Sequence, residues 1–488
     1  MSAPFVLAID QGTTNTKAVL VDGAGQIALI ASAPMTSAYP HPGWAEQSAD
    51  AIWASVAAVI ADIVARLDGR TIAALAITNQ RETLVTWDQA TGKPVAPAIL
   101  WQCRRSAEDC DAIRAAGADA GIIDATGLAL NPLFPASKLG WLLKRNPGVK
   151  AVADSGRLAA GTVDSWLLYK LTATRRFATD HSNASRTQLF NTATLRWDDD
   201  LCRLFGVPTG CLPEPLPSDA RFGETAPAVT ALPAGIPIHA MMGDSHAALY
   251  GHGVRAPGAV KATYGTGSSL MTLTGRRVAS AHGLSGTIAW SRGAQTAYAL
   301  EGNITVSAQA AAFMAAMLGL KGAADLSDLA QTVATSNGVA VVPALAGLGA
   351  PHWDDYATGL VTGMTLATTP AHVARATFEA IALQIYDVFA AMQQDIGQPL
   401  KALLADGGAS ANAFLMQLQA DILAKPVHRS DVAELSAIGV AAMAASALGL
   451  AADAPAGAHK VFEPAAGSAW RDTVIAGWHA AIAKAKSR

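Results

Sequence analysis

One local design occurs near the start of each half of the chain, and it constrains the fold more than any other feature. An apolar run is followed by a turn of glycine and hydroxyl residues, and then by a second apolar run. In the first copy Phe5–Ile9 and Lys17–Val21 flank Gln11-Gly12-Thr13-Thr14. In the second, Ala259–Tyr264 and Ser269–Leu273 flank Gly265-Thr266-Gly267. Each copy predicts a strand, a tight turn and a strand. Glycine lets a ligand approach the backbone, and such a turn can face backbone N–H and hydroxyl groups toward a phosphate. Alone, each also reads as an ordinary hairpin. As a pair they predict a weak internal duplication and a nucleotide phosphate gripped between two domains. The Gly-Lys-Ser/Thr sequence of a P-loop is absent.

Between these units Gln26–Pro34 predicts a third strand, Ala49–Leu67 a helix and Ile72–Thr78 a buried strand. Strand and helix signals alternate to about residue 250, which argues for an α/β class. Val207–Pro237, rich in Pro and Gly, reads as an irregular connection. The pattern restarts at Gly251–Pro257, dividing the chain into domains of residues 1–250 and 251–488. The second then predicts helices at Ile304–Leu318, Pro370–Ile396, Asn412–Leu423 and Ser436–Leu448, with a strand at Ala402–Ala405. The 488 residues, 51% hydrophobic and 15% charged, supply ample cores. The longest apolar stretches are too short or too broken by Ser and Gly to predict a membrane span. A net charge of −3 without a basic patch argues against nucleic acid. Four cysteines in so long a chain read as reduced thiols. With no charged and apolar leader pattern, the expected location is cytoplasmic.

Several polar groups sit where predicted strands end. Asp10 could hold Mg²⁺ directly or through water, and Lys17 could meet a phosphate. Asp406-Gly407-Gly408-Ala409-Ser410-Ala411-Asn412 runs from a strand into a helix. Its small residues suit a flat adenine, with Asn412 at the ring edge; a plain turn with Ser410 as helix cap is the alternative. Arg81 and Glu82 offer a donor and an acceptor to vicinal hydroxyls, or else form a surface ion pair. Trp101 could pack on a carbon skeleton or lie in the core. Asp244, after Ile238–Met242 and before a helix, is placed to take a hydroxyl proton, as phosphoryl transfer to an alcohol requires, or to cap the helix. His246 reads as structural.

These pieces, in this order, resemble the FGGY carbohydrate kinase family, most closely its glycerol kinase branch. The resemblance runs from about Ala8 to Leu448. It is carried by Ile9–Thr14, Ile77–Thr83, Trp101–Arg105, Phe134–Trp141, Asn183–Leu189, Gly243-Asp244, Tyr264–Gly267, Pro351-His352-Trp353-Asp354, Gly359–Glu379 and Asp406–Ala409. It implies two actin-like domains of the ribonuclease H type, with ATP, Mg²⁺ and a polyol or sugar in a cleft that closes. By analogy it also implies a homodimer. It puts Asp10 on the metal side with Asp244, Thr13, Thr14, Lys17, Gly265 and Thr266 along the phosphates, and Gly408 and Asn412 near the adenosine. Arg81, Glu82, Trp101 and Asp244 become acceptor residues, Asp244 the general base. Three acceptor-wall positions depart from the branch: Leu133, Ser245 and Ser269 stand where glycerol kinases carry Tyr, Gln and Phe. The pattern predicts an opened far wall: glycerol stays the first-named acceptor, and a four- or five-carbon polyol such as erythritol, threitol or xylitol is expected to match or beat it. A ketose kinase of the xylulose type conflicts with the Arg81-Glu82 pair, and an actin-like assembly protein leaves Arg81, Glu82 and Trp101 unexplained.

Overall fold

A computed structural model describes residues 4–450 and 459–486. Strands β1 (Phe5–Gln11), β2 (Asn15–Val21), β3 (Ile27–Pro34), β4 (Ile72–Asn79), β5 (Arg221–Glu224) and β6 (Pro237–Gly243) form one sheet, ordered β5-β6-β4-β1-β2-β3. Strands β7 (Ala259–Tyr264), β8 (Ser268–Leu273), β9 (Ser285–Arg292), β10 (Gln295–Ile304), β11 (Ala402–Asp406), β12 (Val427–Ser430) and β13 (His459–Phe462) form a second, ordered β9-β10-β8-β7-β11-β12-β13. The sheets share a plan. β3-β2-β1 and β10-β8-β7 are antiparallel, whereas β1-β4-β6 and β7-β11-β12 are parallel. The duplication legible in two hairpins thus extends to five strands of each sheet.

Helices α1 (Ala49–Ala65), α2 (Pro135–Arg145), α3 (Asp244–Gly251), α4 (Gln309–Met317), α5 (Pro370–Ile396), α6 (Ala413–Leu423) and α7 (Leu435–Ala447) complete the frame. Strand β1 is a continuous apolar run because both its faces are buried. Leu7 and Ile9 join a cluster with Ile52, Val56 and Ile60 of α1, while Val6 and Ala8 face α3 and α7. Ser48 starts α1 by accepting the Ala51 N–H. Helices α3 and α7 share one apolar cluster with residues from both sheets, including Val19 and Ala240 of the first and Met271 and Ala299 of the second. Their contact is backbone on backbone: a Cβ on Gly439 would stand 1.8 Å from the Ala247 carbonyl oxygen, and one on Gly251 2.3 Å from that of Leu435. No helix among the described residues is long and apolar enough to cross a membrane.

Two sequence expectations need correction. The predicted helix Ile304–Leu318 begins later, at Gln309, because Ile304 ends β10, whose hairpin with β9 escaped the sequence reading. The connection Val207–Pro237 is not wholly irregular: its Arg221–Glu224 pairs with β6 at the sheet edge.

Candidate active site

Parallel strands β1, β4 and β6 deliver their carboxyl ends to one edge of the first sheet, which brings Asp10, the Gln80-Arg81-Glu82 stretch and Asp244 together. Gly243 makes room for this convergence: a Cβ there would meet Arg81 Cγ at 2.6 Å and His246 Nδ1 at 2.9 Å. Arg81 and Glu82 are not a surface pair. Arg81 Nε donates to Asp244 Oδ1 at 3.1 Å, and its Nη1 lies 2.7 Å from Glu301 Oε1. Glu82 accepts from Arg186 Nε at 2.6 Å, and Arg186 Nη2 lies 2.8 Å from Glu301 Oε2. Glu301, on β10, therefore holds one arginine with each oxygen, and its side chain is fully buried. Burial alone would raise the Glu301 carboxyl, but Arg186 and then Arg81 hold it well below the usual range. Sequence reasoning missed Glu301 and Arg186. A lone glutamate in the apolar run Tyr298-Ala299-Leu300 was the available signal, since a buried charge demands partners.

Around this core stand the other predicted acceptor residues. Ser269 Oγ donates to Glu301 Oε1 at 3.1 Å and lies 3.5 Å from Ser245 Oγ. Trp101 is 39% exposed rather than in the core. Its Nε1 donates to Thr13 Oγ1 at 3.0 Å, which links a predicted acceptor residue to the first Gly/Thr turn. Thr13 in turn donates to Gln80 Oε1, and Gln47 Nε2 donates to the Thr13 carbonyl, so neighbouring side chains fix that turn. Leu133 is partly buried, and its carbonyl accepts from Lys138.

Of the residues predicted to meet the nucleotide, Thr14 and Thr266 are exposed at the tips of the two turns. Gly267 is a close approach, since a Cβ would lie 2.4 Å from the Ile304 carbonyl oxygen. Lys17 is paired with Glu434 at 2.7 Å. Gly408 borders open space, as a flat ring against backbone requires. Asn412, rather than Ser410, caps α6: its Oδ1 accepts the Leu415 N–H and its Nδ2 donates to Ser327 Oγ at 2.9 Å. Both halves of its amide are thus engaged within the protein.

The Asp10 carboxyl is pushed up to about 7, first by burial and then by Asp244 and Glu434, with Lys17 opposing. Burial also raises Asp244, against the pull of Arg81. The negative charge that Asp244 and Glu434 place around Asp10 suits a cation there. No cluster of three or more acidic, His or Cys ligands occurs among the described residues. That fits magnesium, which takes one or two protein carboxylates and completes its shell with water and phosphate oxygens.

Two lobes thus share one sheet plan, each offers a Gly/Thr turn, and a strand-end carboxylate stands beside a buried arginine, an arrangement compatible with a phosphotransferase. The chain belongs to the FGGY family of carbohydrate kinases: residues 5–251 match the family's N-terminal domain and residues 260–448 its C-terminal domain. It is 48% identical to an apulose kinase of Pectobacterium atrosepticum over 92% of this chain and 90% of that one. It is 45% identical to a glycerol kinase of Symbiobacterium thermophilum over 100% and 99%. A crystal structure of Plasmodium falciparum glycerol kinase with ADP superposes with a TM-score of 0.95 at 29% identity, covering 100% of this chain and 99% of that one. The α/β, actin-like two-domain architecture expected from the sequence is the one found. The chain is an ATP-using carbohydrate kinase whose acceptor is an alcohol group of a sugar or polyol.

Proposed function

We propose that this kinase transfers the γ-phosphoryl group of ATP to a primary hydroxyl of glycerol or a related small polyol, with Asp244 as general base. A four- or five-carbon polyol or ketose is at least as good an acceptor as glycerol. The site lies between the domains of residues 1–250 and 251–488. The observation that carries this reading is the setting of Asp244. Its Oδ1 is held by Arg81 Nε and by the Ser245 N–H at 2.6 Å. Its Oδ2 has no hydrogen-bond partner among the described residues, and the side chain is 38% exposed. One oxygen is anchored and the other is free to receive an acceptor proton.

Asp10 would hold Mg²⁺, with Asp244 facing the ion through water so that its free oxygen stays open to the proton, and magnesium-bound ATP would supply the phosphoryl group with its charge partly neutralised. Thr13, Thr14, Lys17, Gly265 and Thr266 would line the phosphates, with Gly408 and Asn412 beside the adenosine. Arg81, Glu82 and Trp101 grip the acceptor end nearest the reaction. Leu133, Ser245 and Ser269 form the far wall. Because Ser269 donates its proton to Glu301, its lone pairs are what remain for an acceptor hydroxyl. The apulose kinase among the relatives, by its name a ketose kinase, supports an acceptor beyond glycerol.

Asp244→Asn tests the assignment. It keeps shape and hydrogen bonds but cannot take the proton, so kcat falls by roughly 10²–10⁴ with little change in acceptor KM. A variant with more than a third of wild-type kcat overturns it. Because burial raises the Asp244 carboxyl, wild-type kcat/KM also falls on acidification at a higher pH than an ordinary aspartate would give.

A further inference from the structure

We propose that Lys138 is the positioning residue that assembles the acceptor wall. It lies in the first turns of α2 and is completely buried. Its ammonium donates to the carbonyls of Leu133 at 2.7 Å, Glu82 at 3.1 Å and Trp101 at 3.4 Å. These three acceptors belong to three of the residues read as acceptor-binding, and they come from three separate segments of chain. An ammonium has three donors and no acceptor, so the match leaves nothing unused.

Leu84 and Ile99 exchange backbone hydrogen bonds, which pairs the segments of Glu82 and Trp101, and Lys138 ties the segment of Leu133 to that pair. Glu82 sits at φ +58°, a left-handed conformation that a non-glycine residue holds only when its surroundings impose it. Lys138 takes its carbonyl while Arg186 takes its carboxylate. Trp101 lies in a turn two residues beyond the short strand Ala98–Ile99, and Leu133 lies in a turn ahead of α2. Burial pushes the Lys138 ammonium down to about 7, with Glu82 opposing. A buried cation is a costly way to fill volume that a methionine would fill. Holding three carbonyls in register gives the charge a purpose that packing alone does not.

This inference rests on the proposed acceptor site, and its test separates the two. Purified full-length wild type, Lys138→Met and Lys138→Arg are assayed with ATP and with glycerol and xylitol as acceptors. If wild type phosphorylates neither these nor other polyols and ketoses, the proposed function fails. If it does, Lys138→Met is expected to raise acceptor KM by about 10–100-fold, with kcat and the KM for ATP within threefold. The ratio of kcat/KM for xylitol over glycerol is expected to change by more than threefold, because the wall rather than the chemistry has loosened. Lys138→Arg keeps the charge, but its planar fork cannot converge on three carbonyls; acceptor KM rises at least threefold with ATP KM unchanged. Should Lys138→Met fail to fold, Lys138→Arg alone decides. Unchanged acceptor KM and xylitol-to-glycerol ratio in the folded variants overturn the proposal. So does a parallel loss in acceptor KM, ATP KM and kcat, the signature of general loosening.

Discussion

The two arginines of the site are set by a residue that no ligand needs to touch. Glu301 comes from the second sheet, whereas Arg81 follows a strand of the first, so one carboxylate ties Arg81 and Arg186 to the other half of the molecule. It also divides the Arg81 charge: the guanidinium faces Asp244 through Nε and Glu301 through Nη1. Glu301→Gln removes that share. Breaking a buried pair from one side costs about 3–5 kcal/mol, so thermal unfolding should shift to clearly lower temperature. Arg81 then acts on Asp244 with less of its charge cancelled. Stronger attraction favours the carboxylate, so the acid limb of kcat/KM moves to lower pH. A Glu301→Gln enzyme with wild-type melting and an unmoved acid limb contradicts this role. A merely structural effect would lower the melting temperature and leave the limb where it was.

At the scale of elements, α3, which starts at Asp244 itself, packs on α7 in an apolar cluster shared with both sheets. Gly439 is there for proximity, since its Cβ would fall 1.8 Å from a backbone oxygen that cannot swing away. Gly439→Ala must part the helices and should cost about 1–3 kcal/mol or more, lowering the denaturant midpoint and kcat together; an unaltered midpoint would mean that the helices do not pack so closely. The sequence made some elements plain and hid others for physical reasons. Strand ends carrying Asp10, Arg81, Glu82 and Asp244 were legible because turn glycines and apolar runs are local signals. Arg186 and Lys138 lay inside stretches that carried the family resemblance, yet their partners are distant in the chain, and pairing is a tertiary fact. The β9–β10 hairpin was lost where the apolar pattern of β10 runs on toward α4. Asn412 illustrates the reverse: asparagine is a preferred helix cap, and that local role is the one its side chain fills.

For the whole molecule, the open question is how large an acceptor the proposed site takes. By the resemblance, Leu133, Ser245 and Ser269 stand where glycerol kinases carry two rings and an amide, while Arg81, Glu82, Trp101 and Asp244 are the proposed near end. Relatives named for glycerol and for apulose stand at similar identity, 45% and 48%, so overall likeness does not choose between a three-carbon and a larger acceptor. The choice rests on these side chains. A pocket that accommodates one more hydroxymethyl group gains about 1–3 kcal/mol, or about 10–200-fold in kcat/KM. The most direct test is kcat/KM with ATP for glycerol, erythritol, threitol, xylitol, xylulose and apulose, measured side by side on the wild-type enzyme. At least one four- or five-carbon acceptor is expected to match or exceed glycerol. Glycerol ahead of every other acceptor by more than tenfold would contradict the enlarged wall, and no acceptor-dependent turnover with any of them would contradict the proposed function itself.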